Sequence, residues 1–149
     1  MDHIVYVDTR QGDLEKLLNG SARMIVRGAM GRKLPYDRIQ LGDRLFFVQN
    51  DGKCLARACA EVTMVFNSNQ LSADESRQVI TGNQEQLQLT PVQVKRWSAK
   101  RFLVLIGLGE VRPVTPFAID RSEYGNMDDW LPVGDIERVK LENHASVLD

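Results

Sequence analysis

Apolar and polar positions change rhythm several times along the chain, and each change predicts an element. Ile4 to Val7 is a β-branched run closed by Asp8 and Thr9, which predicts a first strand. Leu14, Leu17 and Leu18 then recur at helical spacing, with Asp13 placed to cap them and Asn19-Gly20 to stop them. From Arg23 to Arg27 the pattern alternates. Met24 and Val26 fall on one face and Arg23, Ile25 and Arg27 on the other, as in a half-buried strand.

Leu41-Gly42-Asp43 turns into a strand from Arg44 to Gln49. Asn50-Asp51-Gly52 marks a hairpin, since these residues tolerate the positive φ that tight turns need. The returning strand is long, Lys53 to about Phe66. It puts Cys54, Ala56, Ala58, Ala60, Val62 and Met64 on one face and Leu55, Arg57, Cys59, Glu61 and Thr63 on the other. Three alanines in register predict close approach by another element.

Between about 68 and 100 the texture is polar with helical punctuation. Ser72 and Glu75 form a capping box opening a helix to about Ile80, which Gly82 ends, and Thr90-Pro91 opens another. Phe102 to Leu108 is nearly continuous apolar sequence, predicting a central strand covered on both faces. Pro113 and Pro116 confine the next extended stretch, Val111 to Ile119, to an edge. A turn-rich segment from Tyr124 to Pro132 follows, in which Tyr124 and Trp130 tie the C-terminal segment to the sheet, then a short strand or helix near Ile136 to Leu141.

The chain of 149 residues, 43% apolar and 26% charged, fits one α+β domain spanning 1–149, able to bury a core without staples. The net charge of -1 conceals an uneven distribution: residues 21 to 66 are basic and residues 121 to 149 acidic. A basic segment can attract phosphates, or the acidic tail can neutralise it. Cys54 and Cys59 are expected as free thiols on opposite faces of one strand, and His3 and His144 lie far apart near the chain ends. Neither a metal site nor a cofactor is indicated. The opening MDHIVYVD shows no leader pattern and no run reaches membrane-spanning length, so a cytoplasmic location is expected.

Three pieces in order resemble the PUA-like superfamily, in its ASCH and EVE branches. They are Leu17-Leu18-Asn19-Gly20 before the strand Arg23 to Arg27, Leu41-Gly42-Asp43-Arg44-Leu45-Phe46-Phe47 with the Ala56 to Val62 strand behind it, and Trp97 shortly before Phe102 to Ile106. The resemblance implies a small, mostly antiparallel β-barrel with a short N-terminal helix and a helical insertion between barrel strands. It also implies a cleft, lined by the second strand, the loop after it and the insertion, that binds RNA or a modified base. DNA is the other nucleic-acid candidate.

The residues expected at that cleft are Arg27, Gly28, Gly31, Arg32, Lys33, Tyr36, Arg38 and Trp97. The cations would meet phosphates, the glycines would let backbone N–H groups approach, and the aromatic rings would stack on a base. The same loop cations also suit an ordinary exposed loop, and Trp97 suits a core. Some ASCH proteins are amidohydrolases for acetylated cytidine that use a lysine and a threonine after the opening glycine and a distant glutamate. Gly20 is followed here by Ser21, Ala22, Arg23 and Met24 without a lysine, which leaves Glu61 and Ser21 as the polar groups for such a reaction. Glu61 equally suits an ion pair with Arg57. A third function class is protein interaction through the acidic segment from Glu123 to Asp129 and the proline-bearing edge, including a homodimer through a sheet edge.

Overall fold

The structure, a computed structural model, describes residues 1–125 and 128–141. Asn126 and Met127 of the turn-rich segment, His144, and the tail acids Glu142 and Asp149 lie outside the described residues. Seven strands occur among the described residues: β1 (Asp2–Val7), β2 (Met24–Ala29), β3 (Arg44–Gln49), β4 (Leu55–Asn67), β5 (Phe102–Leu108), β6 (Arg112–Ala118) and β7 (Trp130–Gly134). The helices are α1 (Asp13–Leu18), α2 (Ala73–Gly82), α3 (Gln84–Leu87) and α4 (Pro91–Ser98), followed by a 3-10 turn at Ile136–Arg138.

The strand order is β2-β5-β4-β3-β1-β7, with β6 added on β4. Of the ladders between these strands, that of β1 with β3 is parallel and the rest are antiparallel. Length lets β4 serve two neighbours on one edge. Its first half pairs with β6 and its second half with β5. The sheet curls but does not close among the described residues: β2 and β7 end the path without a ladder between them. The architecture is therefore an open, curled half-barrel with helices, which agrees in part with the mostly antiparallel α+β barrel expected.

Cores lie on both sides of the curl. Inside it, Val5, Leu45, Phe47, Ala58, Ala60, Val62, Val104 and Ile106 pack with Leu14 and Leu17 of α1. Outside, Met24, Val26, Leu103 and Leu105 meet Ile80 and Leu87 of the helical insertion. Thus β5 is covered on both faces, and β2 alternates as its sequence predicts, with Ile25 inward. A third cluster joins Ile4, Phe46 and Val48 to Leu131, Val133 and Ile136.

Several local expectations change. A bulge between Val62 and Met64 shifts the alternation of β4, so Val65 packs with the inner core and Met64 with the helices. Cys54 precedes the strand with φ 54, so it escapes the alternation, and both free cysteines pack against the third cluster, that of Ile4, Phe46 and Leu131. Asp13 does not cap α1, whose N-cap is Gly12 with φ 70. Its carboxylate instead accepts from Asp8 N–H at 3.0 Å and Gln93 Nε2 at 2.8 Å, tying the start of α1 to α4. The capping boxes of α2 and α4 are present, Ser72 with Glu75 and Thr90 with Gln93. The turn-rich stretch near Trp130 contains a strand, β7, that pairs antiparallel with β1.

His3, expected only as a terminal residue, is fully buried. Trp130 Nε1 donates to its Nδ1 at 3.1 Å and its Nε2 meets Asp43 Oδ2 at 2.8 Å. An indole nitrogen is donor only, so Nδ1 must be the acceptor and Nε2–H the donor to Asp43. This relay joins β1, β7 and the turn before β3.

Candidate binding cleft

Where the curl fails to close, a cleft of about 680 Å³ opens. Its walls come from the free edge of β2 (Met24 to Gly28), the end of β1 (Tyr6, Val7, Asp8), α1, α4, and the segment carrying Arg121, Asp128 and Asp129. Arg27 shares the inward face of β2 with Ile25 and projects into this gap. Its NH1 and NH2 each donate at 2.7 Å, to the carbonyls of Val26 and Tyr6. The guanidinium thus bridges β2 and β1 where no ladder joins them. Its carbon lies 5.9 Å from the ring centres of both Trp97 and Trp130.

Arg27 takes part in no ion pair among the described residues, and its buried Nε has no hydrogen-bond partner there. Burial lowers its pKa, with Asp129 and Asp13 opposing the shift and Arg96 adding to it. The group stays cationic, because even a lowered guanidinium pKa is far above neutrality. Two of its five N–H donors are satisfied by carbonyls, leaving a partly desolvated positive charge with donors to spare.

The other cleft cations differ in how far they are neutralised. Arg96 pairs with Asp8 at 3.9 Å and Lys16 with Asp13 at 3.8 Å. Arg121 donates to Tyr6 Oη at 2.8 Å, to the carbonyl of Asp128 at 3.1 Å and to that of Gly125. Tyr6 also meets Cys54 Sγ at 3.3 Å. Burial and that contact raise the Tyr6 pKa, while Arg121 works to lower it, so the phenol stays protonated at neutral pH. Lys100 forms no ion pair among the described residues. The cleft cations without a carboxylate partner among the described residues are therefore Arg27, Lys100 and Arg121, and Arg121 is the most committed of the three, to the Tyr6 hydroxyl and two carbonyls.

Of the residues expected from sequence, Arg27, Gly28 and Trp97 line this cleft, whereas Gly31, Arg32, Lys33, Tyr36 and Arg38 do not. Tyr36 is committed elsewhere: its hydroxyl donates to the Ser68 carbonyl at 2.5 Å and its ring meets Phe102 edge-on at 5.7 Å. Arg32 lies over the same two rings, 5.9 and 5.6 Å from their centres. Trp97 is contacted by the guanidinium groups of Arg27 and Arg96, so its ring orders cations as well as forming an apolar wall. Glu61 and Ser21 are exposed and outside the cleft, and no Glu61–Arg57 ion pair occurs among the described residues.

Packing requires glycine at position 28. A Cβ there would lie 2.8 Å from Leu103 Cδ2, 3.0 Å from the Phe102 carbonyl oxygen and 3.1 Å from Lys100 Cβ. Gly28→Ala should therefore cost about 1–3 kcal/mol in urea unfolding, because the buried Leu103 side chain must shift and the Phe102 carbonyl must give by a few tenths of an ångström. At Gly31 nothing lies within 4 Å, and Gly31→Ala should change stability by less than about 0.5 kcal/mol.

No protein-family model and no curated protein matches the sequence. Solved structures do match. Over 92% of this chain and 91% of the other, the ASCH protein of Zymomonas mobilis superposes with TM-score 0.66 at 10% identity. Two single-residue mutants of that protein each give a TM-score of 0.68, again at 10% identity, over 92% of this chain and 93% and 91% of theirs. The chain has the fold of an ASCH domain. Such low identity carries the fold alone, so the chemistry of this cleft rests on its own side chains.

Tyr6, Lys16, Arg96, Lys100 and Arg121 line the cleft without having been expected there from the sequence. For two of these a signal existed. Gln93, Arg96 and Trp97 are spaced i, i+3 and i+4, which aligns them along one face of α4, and Lys100 continues the i+7 spacing just beyond the C-cap Ala99. Nothing local to Arg121 announced that it would fold back across β1.

Proposed function

We propose that this domain is a nucleic-acid-binding module that holds one nucleotide, an unpaired or modified residue of RNA, in the open end of its half-barrel. The observation that carries the reading is Arg27, a partly desolvated cation with free donors and no carboxylate partner among the described residues, beside the Trp97 wall and Lys100. Arg27 and Lys100 take the phosphate. Leu87, Leu89 and Trp97 offer apolar surface to the base, and the carboxylates of Asp8 and Asp129 are acceptors for sugar hydroxyls or exocyclic amines. A mixed polar lining around an apolar wall is the composition of a small-molecule pocket, which fits one nucleotide better than a duplex.

Titrating the four ribonucleoside 5′-monophosphates and short RNAs at about 50 mM salt tests this. Lys100→Ala keeps the Cβ that packs on Gly28 and removes the charge. It should weaken binding about tenfold, the usual effect of losing one phosphate contact worth about 1.4 kcal/mol. Absence of binding at low salt, or affinity indifferent to Lys100→Ala, would remove the reading.

A further inference from the structure

The ligand held by the cleft is, we propose, part of a single strand whose next phosphates lie in a second groove on the far side of α4; this rests on the cleft reading above. The groove, about 520 Å³, runs between α2 and α4 and shares Leu89 with the cleft. Its charged lining is wholly basic: Arg77 from α2, Lys95 from α4, and Arg101 just beyond α4. None of the three forms an ion pair among the described residues. Arg101 spends one nitrogen on the Lys100 carbonyl at 3.0 Å and retains further donors.

Helical spacing explains the pairing of the two depressions. Pro91, Val94, Lys95 and Ser98 recur at i, i+3, i+4 and i+7, and Gln93, Arg96 and Trp97 at i, i+3 and i+4, so α4 carries Lys95 on one face and Arg96 on another, with Lys100 following just beyond its C-cap. Val94 and Leu89 supply apolar surface in the groove. Ser98 Oγ is buried in its wall without a hydrogen-bond partner among the described residues, and native structures rarely leave such a group without a ligand or solvent to satisfy it. An isolated solvated face would be expected to mix signs. Unpaired cations without a carboxylate, over apolar surface, match the combination used for single strands, where a positive track follows the backbone and bases rest on apolar side chains.

A strand of six nucleotides is long enough to cross α4, whose diameter with side chains is about 10 Å. The groove cations are exposed or half-buried and outside the cores, so Arg77→Ala with Lys95→Ala should leave the fold intact. A mixed-sequence hexaribonucleotide and a ribonucleoside 5′-monophosphate are titrated against the native chain, this double variant, and Lys100→Ala, at several salt concentrations. The double variant should bind the hexamer about tenfold more weakly and with a log–log salt slope shallower by about 1.4, since each strand phosphate contributes about 0.7. Its affinity for the mononucleotide should stay within about twofold of native.

If the double variant binds the hexamer like the native chain while Lys100→Ala weakens it, the strand does not use the groove and the inference is wrong, although the cleft reading stands. If the double variant weakens the hexamer but Lys100→Ala affects neither ligand, the groove binds independently. The cleft reading then fails, and with it a strand running between the two.

Discussion

Arg27→Gln should weaken mononucleotide binding about 100-fold, the largest functional effect expected of any single substitution in the cleft. Glutamine keeps much of the length and two donors but removes the charge. Losing a partly desolvated charge-to-phosphate contact costs about 2–5 kcal/mol, and about 2.7 kcal/mol corresponds to 100-fold. The same change should lower stability, because the carbonyls of Val26 and Tyr6 lose charge-assisted partners at the point where a side chain joins β2 to β1. Arg27→Lys separates the two roles. It retains the charge but not the planar fork that reaches two carbonyls and a ligand together, so binding should fall less than in Arg27→Gln. Calorimetric titration alongside thermal unfolding reads both effects, and full affinity in Arg27→Gln would contradict the role assigned to this residue.

Stability should respond most strongly at Asp43. This buried carboxylate accepts from His3 Nε2 at 2.8 Å and Gln40 N–H at 3.0 Å, and from the amino group of Met1 at 3.3 Å. Asp43→Ala strands the buried N–H of neutral His3 and removes the acceptor of two further donors, and should cost about 3 kcal/mol, lowering Tm by roughly 10 °C. Burial alone would raise the Asp43 pKa, but those hydrogen bonds outweigh it and hold it below the ordinary carboxylate value. Asp2 is also held low. Burial raises it, while the side chain of Arg44 and the N–H of Ile136 prevail.

A carboxyl whose pKa is depressed on folding adds stability that is fully present above its unfolded pKa, near 4. That stability is lost as pH falls through the folded value. The native chain should therefore lose stability progressively below about pH 4, and Asp43→Asn should flatten that loss. An acid limb as steep in Asp43→Asn as in the native chain would assign the loss to other carboxylates.

Strand alternation made much of the fold legible. The inward and outward faces of β2, the hairpin at Asn50 to Gly52, the capping boxes and the doubly covered β5 all follow from short-range rules on propensity, period and turn chemistry. Non-local features were hidden. Trp130 and Leu131 look like part of a turn until β1 is beside them, and the bulge at Val62 to Met64 switches the faces of Met64 and Val65 without any local mark. The site divided along the same line. Arg27 was expected because the resemblance puts the second strand in the wall of the cleft, but the glycine-bearing loop after it turns Tyr36 and Arg32 onto Phe102 instead of into the cleft. Charge clustering along the sequence pointed to that loop. Charge clustering in space picks out Arg27 with Lys100, residues on different elements.

The two tryptophans allow the most direct test. Their indole N–H signals in a nitrogen-15 spectrum of the native chain can be followed while a ribonucleoside monophosphate is added at low salt. The Trp97 indole and the backbone amides of Gly28 and Lys100 should shift together and saturate with one affinity, while Trp130, bonded to His3 in the core, moves less. Shifts centred instead on the amides of Arg32, Lys33 and Arg38, with the Trp97 indole unmoved, would contradict the cleft as the site.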